Sequence, residues 1–369
     1  HTKQVRPAVQ RYHFVDTLYA LSEVSMFAAA VEALEAEGEG VDYARLFDDI
    51  RACIDLSHQD DSILGPVLAD LPRFVDRDPL LGPTLHKLRS AGKKLFLLTN
   101  SQPEYTERMM TYLLGDSMPQ YASWRSYFDV VVSAARKPSF FVGAAPFEEV
   151  DGDGRRPVTN GKLERGRMYV GGNMHAFEEA LKVTGDRVLY VGDHIYGDVL
   201  RAKKEGAWRT AMILQEMDHE LAVIRNQRPE LARLAALESK RLEVYDLLRQ
   251  HQARLHAIKR RLDEDPGLDP VRAELELAKR RTRRSVAHLK SELAKLAEEH
   301  EALENALDRR FHPFWGPIFK AGAELSSFGD QVEEFACIYT ARASNLYHYS
   351  PMHYFQSPRD FMPHEQDPY

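Results

Sequence analysis

The chain has 369 residues, 44% of them apolar, enough for a sizeable buried core and more than one module. No apolar run approaches the length of a membrane span and no charged-then-apolar leader opens the chain, so a cytoplasmic protein with no membrane partner is expected. A formal net charge of −7 disfavours general nucleic-acid binding while leaving room for a local basic pocket for one small phosphate, and the two distant cysteines, Cys53 and Cys337, suit neither a disulfide framework nor a zinc site.

In chain order, Tyr12 to Leu34 and Asp42 to Leu56 carry apolar residues at helical spacing, separated by the glycine-bearing EAEGEG. From Leu80 the pattern changes. The helix PTLHKLRSAG leads into the strand KLFLLT, followed by a helix and the strand FDVVVS. Residues 150–167, VDGDGRRPVTNGKLERGR, read as a hairpin or surface loop, and the strand DRVLYVG, the helix DVLRAKKEG and WRTAMIL follow. Strands that are apolar almost throughout and alternate with helices predict a parallel sheet covered on both faces. From about Arg228 the chain becomes rich in Ala, Leu, Glu, Lys and Arg, with one strong break, DEDPGLDP, at residues 263–270. This predicts a long charged helical hairpin, either packed on itself in solvent or used as an arm for a partner or a second copy.

The chemistry is concentrated at three strand ends, where open parallel sheets bind ligands. KLFLLT stops at Thr99-Asn100-Ser101, which offers a hydroxyl, an amide and backbone N–H groups suited to phosphate oxygens. FDVVVS is followed by ARKP, in which Lys137 supplies a compact positive charge. The stretch VLYVGDHIYGDVL ends its strand at Asp193, with Asp198 five residues on. Asp193 could cap the next helix or face the crevice. Together the hydroxyl, the lysine and the paired aspartates describe a Mg²⁺-assisted phosphoryl-transfer site, because magnesium prefers oxygen ligands and needs only one or two carboxylates beside the substrate phosphate.

These motifs resemble those of the haloacid dehalogenase (HAD) superfamily of phosphatases, whose later motifs are a strand-end Thr or Ser, a Lys and a GDxxxxD pair. LFLLTNS, YFDVVVSAARKPSFF, MYVGG, LYVGDHIYGDVLRAKKEGAWRTAMIL and the tail FMPHE are similar to the cytosolic purine 5′-nucleotidases, the IMP/GMP-preferring group. The resemblance implies a HAD-like three-layer α/β/α parallel sheet with a helical cap at 1–72 on the base side of the nucleotide and a phosphatase core at 73–224. It leaves the hairpin at 225–310 and a C-terminal helical segment packing on the core at 311–369. It further implies Mg²⁺-dependent hydrolysis of nucleoside 5′-monophosphates, with Asp193 as metal ligand, Asp198 as its supporting acid, Thr99 and Lys137 as phosphate holders, and Asn100 and Ser101 beside them. In YHFVDTLYALSE and DDIRACIDLSH, the family segments imply that Tyr19 stacks on the purine and that Arg51, Asp55 and His58 face the base. By spacing alone Arg51 and Asp55 form an intrahelical ion pair and Tyr19 a core aromatic. Self-association stays open, as do a catalytically silent scaffold of the same fold and a HAD phosphatase for another small phosphate.

One motif is missing. HAD catalysis requires DxDx[TV] at the end of the first strand, whose leading Asp attacks phosphorus and whose second Asp protonates the leaving group. Asp151-Gly152-Asp153 lacks a preceding apolar strand, and Asp76-Arg77-Asp78 is followed by Leu80 and runs at once into a helix. The attacking aspartate is therefore expected on a strand upstream of His1. A gap is expected in the sheet beside the strands ending at Thr99 and Asp193.

Overall fold

The computed structural model describes residues 18–38, 40–60, 62–151, 154–264, 269–322 and 324–356. The tail FMPHE and the start of the first helical segment lie outside them. The described residues fall in two compact units, one within 7–217 and 323–369, the other within 218–322.

A helical pair opens the first unit, α1 (Leu21–Glu37) and α2 (Tyr43–Gln59). Gly38 ends α1 in the left-handed region that glycine tolerates, and Asp42 caps α2 by accepting the Arg45 N–H at 3.2 Å. Phe27 and Phe47 then meet edge to face, with ring centroids 5.7 Å apart. Three shorter helices, α3 (Leu64–Ala69), α4 (Leu71–Phe74) and α5 (Leu81–Ser90), lead to β1 (Phe96–Leu98). Next come α6 (Pro103–Leu114), β2 (Val130–Ser133), α7 (Ser139–Val142), β3 (Phe147–Asp151), β4 (Gly154–Pro157), β5 (Met168–Gly171) and α8 (Met174–Leu181). The run ends with β6 (Leu189–Gly192), the helical turn Ile195–Leu200, α9 (Arg201–Gly206) and β7 (Arg209–Ile213).

In the second unit α10 (Met217–Asn226) is followed by α11 (Arg228–Glu264) and α12 (Asp269–Phe311). Arg233 pairs with Glu299 and Lys240 with Glu292, so α11 and α12 run antiparallel as the two arms of a hairpin. The chain returns to the first unit as α13 (Ser327–Phe335) and β8 (Ile338–Thr340). Residues 311–369, read from sequence as helical, thus also supply a strand, which pairs parallel with β7.

The architecture is mixed α/β with parallel sheets. One sheet has the order β1-β2-β5-β3-β4, with β1, β2 and β5 parallel and β3 antiparallel to both neighbours; a second has the order β8-β7-β6, all parallel, and a third is a short two-stranded pair. The glycine-rich excursion at 150–167 begins as the β3–β4 hairpin. The side chains of β2 divide between two cores, as the two-residue strand period requires. Val130 and Val132 join Phe140, Phe177, Tyr190 and Trp208, whereas Val131 joins Leu114, Trp124 and Tyr127 on the other face.

Neither β1 nor β6 has a strand on its outer side among the described residues. The Thr99 N–H donates to Val132 and its C=O accepts from Ala135, so the polar groups of Leu98, one residue earlier, point away from β2. On β6, Val188 C=O accepts the Arg209 N–H from β7, which turns the groups of Leu189 and Val191 outward. Phe96 and Tyr190 bring the two edges side by side, their rings parallel within 2° and 6.3 Å apart. Among the described residues the two sheets are therefore separate, with a break between the edges β1 and β6.

Aromatic packing joins the two sheets beneath this break. The Trp208 ring lies 5.6–6.0 Å from those of Phe96, Phe141, Phe177 and Tyr190, and its Nε1–H donates to Glu178 at 2.6 Å. Trp208→Ala should cost about 3–5 kcal/mol in urea unfolding, from lost burial and the cavity left behind. A loss below about 1 kcal/mol would show that the sheets are held by something else.

Candidate functional site

The end of β1 and the loop after β2 are latched together. Asn100 Oδ1 accepts the Lys137 N–H at 2.6 Å while its Nδ2 donates to the Lys137 C=O at 2.9 Å. Ala134 N–H donates to Ser101 C=O at 2.8 Å, and Thr99 Oγ1 accepts the Ser101 N–H at 3.1 Å. Between these ties Ala134 and Arg136 take φ of 45° and 60°, a left-handed conformation costing a non-glycine residue roughly 1–2 kcal/mol. Such strain persists where surrounding bonds over-determine the backbone, as the Asn100 bracket does here.

That bracket aims Lys137 inward. Its Nζ lies 2.7 Å from Asp198 Oδ1, 2.9 Å from the Tyr190 hydroxyl and 3.4 Å from Leu98 C=O, so all three ammonium donors are engaged. The Lys137 and Asp198 side chains are only 12% and 7% exposed, which makes this a buried ion pair. Tyr190 O–H donates to the same Asp198 oxygen at 3.1 Å. Burial first, then the charge of Asp198 and its hydrogen bond, and then the charge of Asp193, push the phenol far above its ordinary range, so it remains a neutral donor.

The Asp198 carboxylate needs room that only glycine leaves. A Cβ on Gly192 would sit 2.8 Å from both Asp198 Cβ and Oδ2. The turn at Ile195–Leu200 is a π-type turn in which both Asp198 and Val199 donate to the His194 C=O. Single π turns are a recurring device at functional sites, because they reposition one side chain within a helix start.

The sequence left Asp193 either capping this turn or facing the crevice. His194 is the cap, its Nδ1 accepting the Gly197 N–H at 2.9 Å. Asp193 is exposed at the end of β6 and makes no hydrogen bond or ion pair among the described residues. Thr99, Asn100, Ser101, Lys137 and Asp198 are thus gathered by direct bonds and short loops, with Asp193 at the neighbouring strand end.

The base-side candidates are not linked to this group by any of these bonds. Arg51, Asp55 and His58 lie exposed along α2, and Arg51 pairs with Glu23 of α1 at 3.3 Å rather than with Asp55. Tyr19 lies in the short helical turn Leu18–Ala20, and its side chain falls outside what is described.

Sequence reasoning passed over Tyr190 and His194. Tyr190 reads as one more apolar residue of VLYVG; the available signal was its place two residues before Gly192, on the face shared with the buried core. Among the rejected aspartates, Asp78 accepts the Leu80 N–H in the turn before α5 and accepts from Ser344, and residues 75–78 form no strand. Asp151 closes the β3–β4 hairpin opposite Gly154.

The family model of the 5′ nucleotidase family matches residues 1–367, and the chain belongs to that family. A 5′-nucleotidase domain-containing protein of Dictyostelium discoideum is 28% identical over 353 residues, covering 94% of this chain and 54% of that protein. The 5′-nucleotidase domain-containing protein 2 of Homo sapiens is 30% identical over 219 residues, covering 58% of this chain and 40% of its own length. The chain therefore spans about half the length of the curated relatives it matches.

Because Tyr190 holds its proton more tightly folded than unfolded, the associated stability is fully present below its ordinary pKa of 10.0, begins to fall above it, and is lost only as pH rises through the higher folded value. Tyr190→Phe should be less stable than the native protein at pH 8, and the difference should shrink between pH 10 and 11. A difference that does not change with pH in chemical unfolding would place the phenol outside this coupling.

Proposed function

We propose that the chain carries most of the active site of a Mg²⁺-dependent phosphoric monoester hydrolase of HAD-like fold, acting on nucleoside 5′-monophosphates with purines preferred. The observation that carries this reading is the buried Lys137–Asp198–Tyr190 cluster beside Thr99 and the unengaged Asp193, at the ends of strands whose facing edges both lack a partner among the described residues.

In this reading Thr99 Oγ1 and the N–H groups that follow it bind phosphate oxygens as hydrogen-bond donors. Lys137 Nζ exchanges its longest contact, to Leu98 C=O, for a phosphate oxygen while Asp198 keeps it charged and in place. Asp193 is the carboxylate that would hold Mg²⁺. No cluster of three or more His, Cys, Asp or Glu is present among the described residues, so the remaining ligands would be substrate oxygens and water, a set magnesium accepts. When bound, the ion neutralises charge on the phosphoryl oxygens. The attacking carboxylate belongs on a strand filling the break between β1 and β6, where its C-terminal end would meet Thr99 and Asp193; residues ahead of His1 are the proposed source. Tyr19, Arg51, Asp55 and His58 serve the base, from a helical cap at 1–72.

A second reading has one observation in its favour. Lys137 already has three acceptors, which would suit a silent nucleotide-binding scaffold. Kinetics on the native full-length polypeptide decide between the two. Lys137→Met and Asp193→Asn should each lower phosphate release from IMP at least about a hundredfold, with Asp193→Asn also raising the Mg²⁺ concentration needed. Unchanged turnover in either variant, or no hydrolysis by the native protein, would reject the enzymatic reading. Faster release from sugar phosphates would keep the site and correct the substrate. Residues 1–369 alone should release no phosphate.

A further inference from the structure

The hairpin of α11 and α12 holds a second polar centre, distant in sequence from every residue of the proposed active site. Val244, Leu248, His251, Leu255, Ile258 and Leu262 recur at alternating spacings of four and three along α11, and the apolar ones other than Leu255 are buried below 9% exposure. This is the seam by which two helices pack along their length. His251 is the polar member of that series, between Leu248 and Leu255. Facing it on α12 are Thr282, which is 4% exposed, and Ser285.

Replacing apolar seam residues with His, Thr and Ser leaves space as well as polarity. Two adjoining recesses of about 340 and 400 Å³ share His251 and Ser285 in their walls, a size within the range of small-ligand sites. His251 Nδ1 is shut off from solvent and has no hydrogen-bond partner among the described residues. An unpartnered buried polar atom destabilises the fold, because its bond to water is lost and not replaced. A polar layer that only fixed helix register would bond within itself, and this one does not at His251.

The charge around the recess is one-sided. Residues 247–262 contain five Lys and Arg, residues 277–291 contain six, and neither stretch contains an Asp or Glu, in a chain whose net charge is −7. Only Arg260 and Lys279 of these eleven reach a carboxylate among the described residues, at Glu264 and Glu276. Arg254 and Arg281 line the first recess and Arg284 and His288 the second, with Glu274 as the one acidic lining residue.

We propose that this recess binds a small, multiply charged phosphate anion of the diphosphate or triphosphate type. The guanidinium groups of Arg254, Arg281 and Arg284 match phosphate oxygens in paired geometry, while the Thr282 and Ser285 hydroxyls and the His251 imidazole supply neutral hydrogen bonds from the floor. A nucleic-acid strand fits less well. Neither stretch holds a Phe, Tyr or Trp on which bases could stack, and a strand lying along the surface would not use groups sunk in the seam.

Calorimetric titration of the full chain with inorganic triphosphate at 0.15 M salt tests this. Saturable one-to-one binding is expected, weakened about tenfold or more by Arg281→Gln and by Ser285→Ala combined with His251→Leu. Arg283→Gln, on the same helix but outside the recess walls, should change the affinity less than about twofold if the site is local. Helix content by circular dichroism identifies a variant that has lost the hairpin, and Arg281→Gln is exposed enough to keep it. Absence of triphosphate binding would overturn the proposal. So would equal weakening by Arg283→Gln, or tighter binding of an oligonucleotide that falls with each cation removed, since either would mark a diffuse basic surface.

Discussion

The first unit depends on one buried ion pair, Lys137 with Asp198. Taking two charges out of water is costly, and a pair of this kind holds only where further hydrogen bonds satisfy it. Here Tyr190 completes Asp198, and Leu98 completes Lys137. Removing one partner of such a pair costs roughly 3–5 kcal/mol, because the other charge is left buried alone. The cluster therefore makes each of its members dependent on the others. It also joins what the backbone does not, since Lys137 follows a strand of one sheet and Asp198 follows a strand of the other, and no ladder connects the two sheets among the described residues.

Several local features follow from placing that pair. The Asn100 bracket and the two left-handed residues aim Lys137; Gly192 leaves space for the Asp198 carboxylate; the π turn brings Asp198 back over the strand; His194 caps that turn in place of Asp193. The last substitution matters for chemistry. An aspartate that capped the helix would have its oxygens committed to backbone N–H groups, whereas those of Asp193 make no hydrogen bond among the described residues. One carboxylate locked to a lysine and one left open five residues earlier is a division of labour that a single aspartate could not provide.

Much of this was legible in the sequence, and the exceptions have physical reasons. The apolar runs KLFLLT, FDVVVS, DRVLYVG and WRTAMIL announced β1, β2, β6 and β7, because strands buried on both faces need few polar residues. The long arms of the hairpin followed from leucines three and four apart. β5 was missed because Met168, Tyr169 and Val170 are a run of only three apolar residues beside a glycine-rich stretch, β8 because residues 311–369 were read as helical throughout, and β3 because it is antiparallel within an otherwise parallel sheet. The strand-end residues were found by chemistry alone. The role of Tyr190 was not, since a tyrosine's hydroxyl becomes decisive only when its burial and its neighbours are known. Arg51 was read against Asp55 by helical spacing, yet its partner is Glu23, supplied by a different helix that spacing within α2 cannot reveal.

The central claim is that the strand ends carrying Thr99, Lys137 and Asp193 form one phosphate site. Crystals soaked in tungstate, a heavy-atom mimic of phosphate, test this directly by anomalous scattering. The account predicts a peak within hydrogen-bonding distance of Thr99 Oγ1 and Lys137 Nζ, with the Lys137 contact to Leu98 lengthened. Strong peaks elsewhere in the first unit, with Lys137 still bound to all three of its present acceptors and nothing at Thr99, would contradict it.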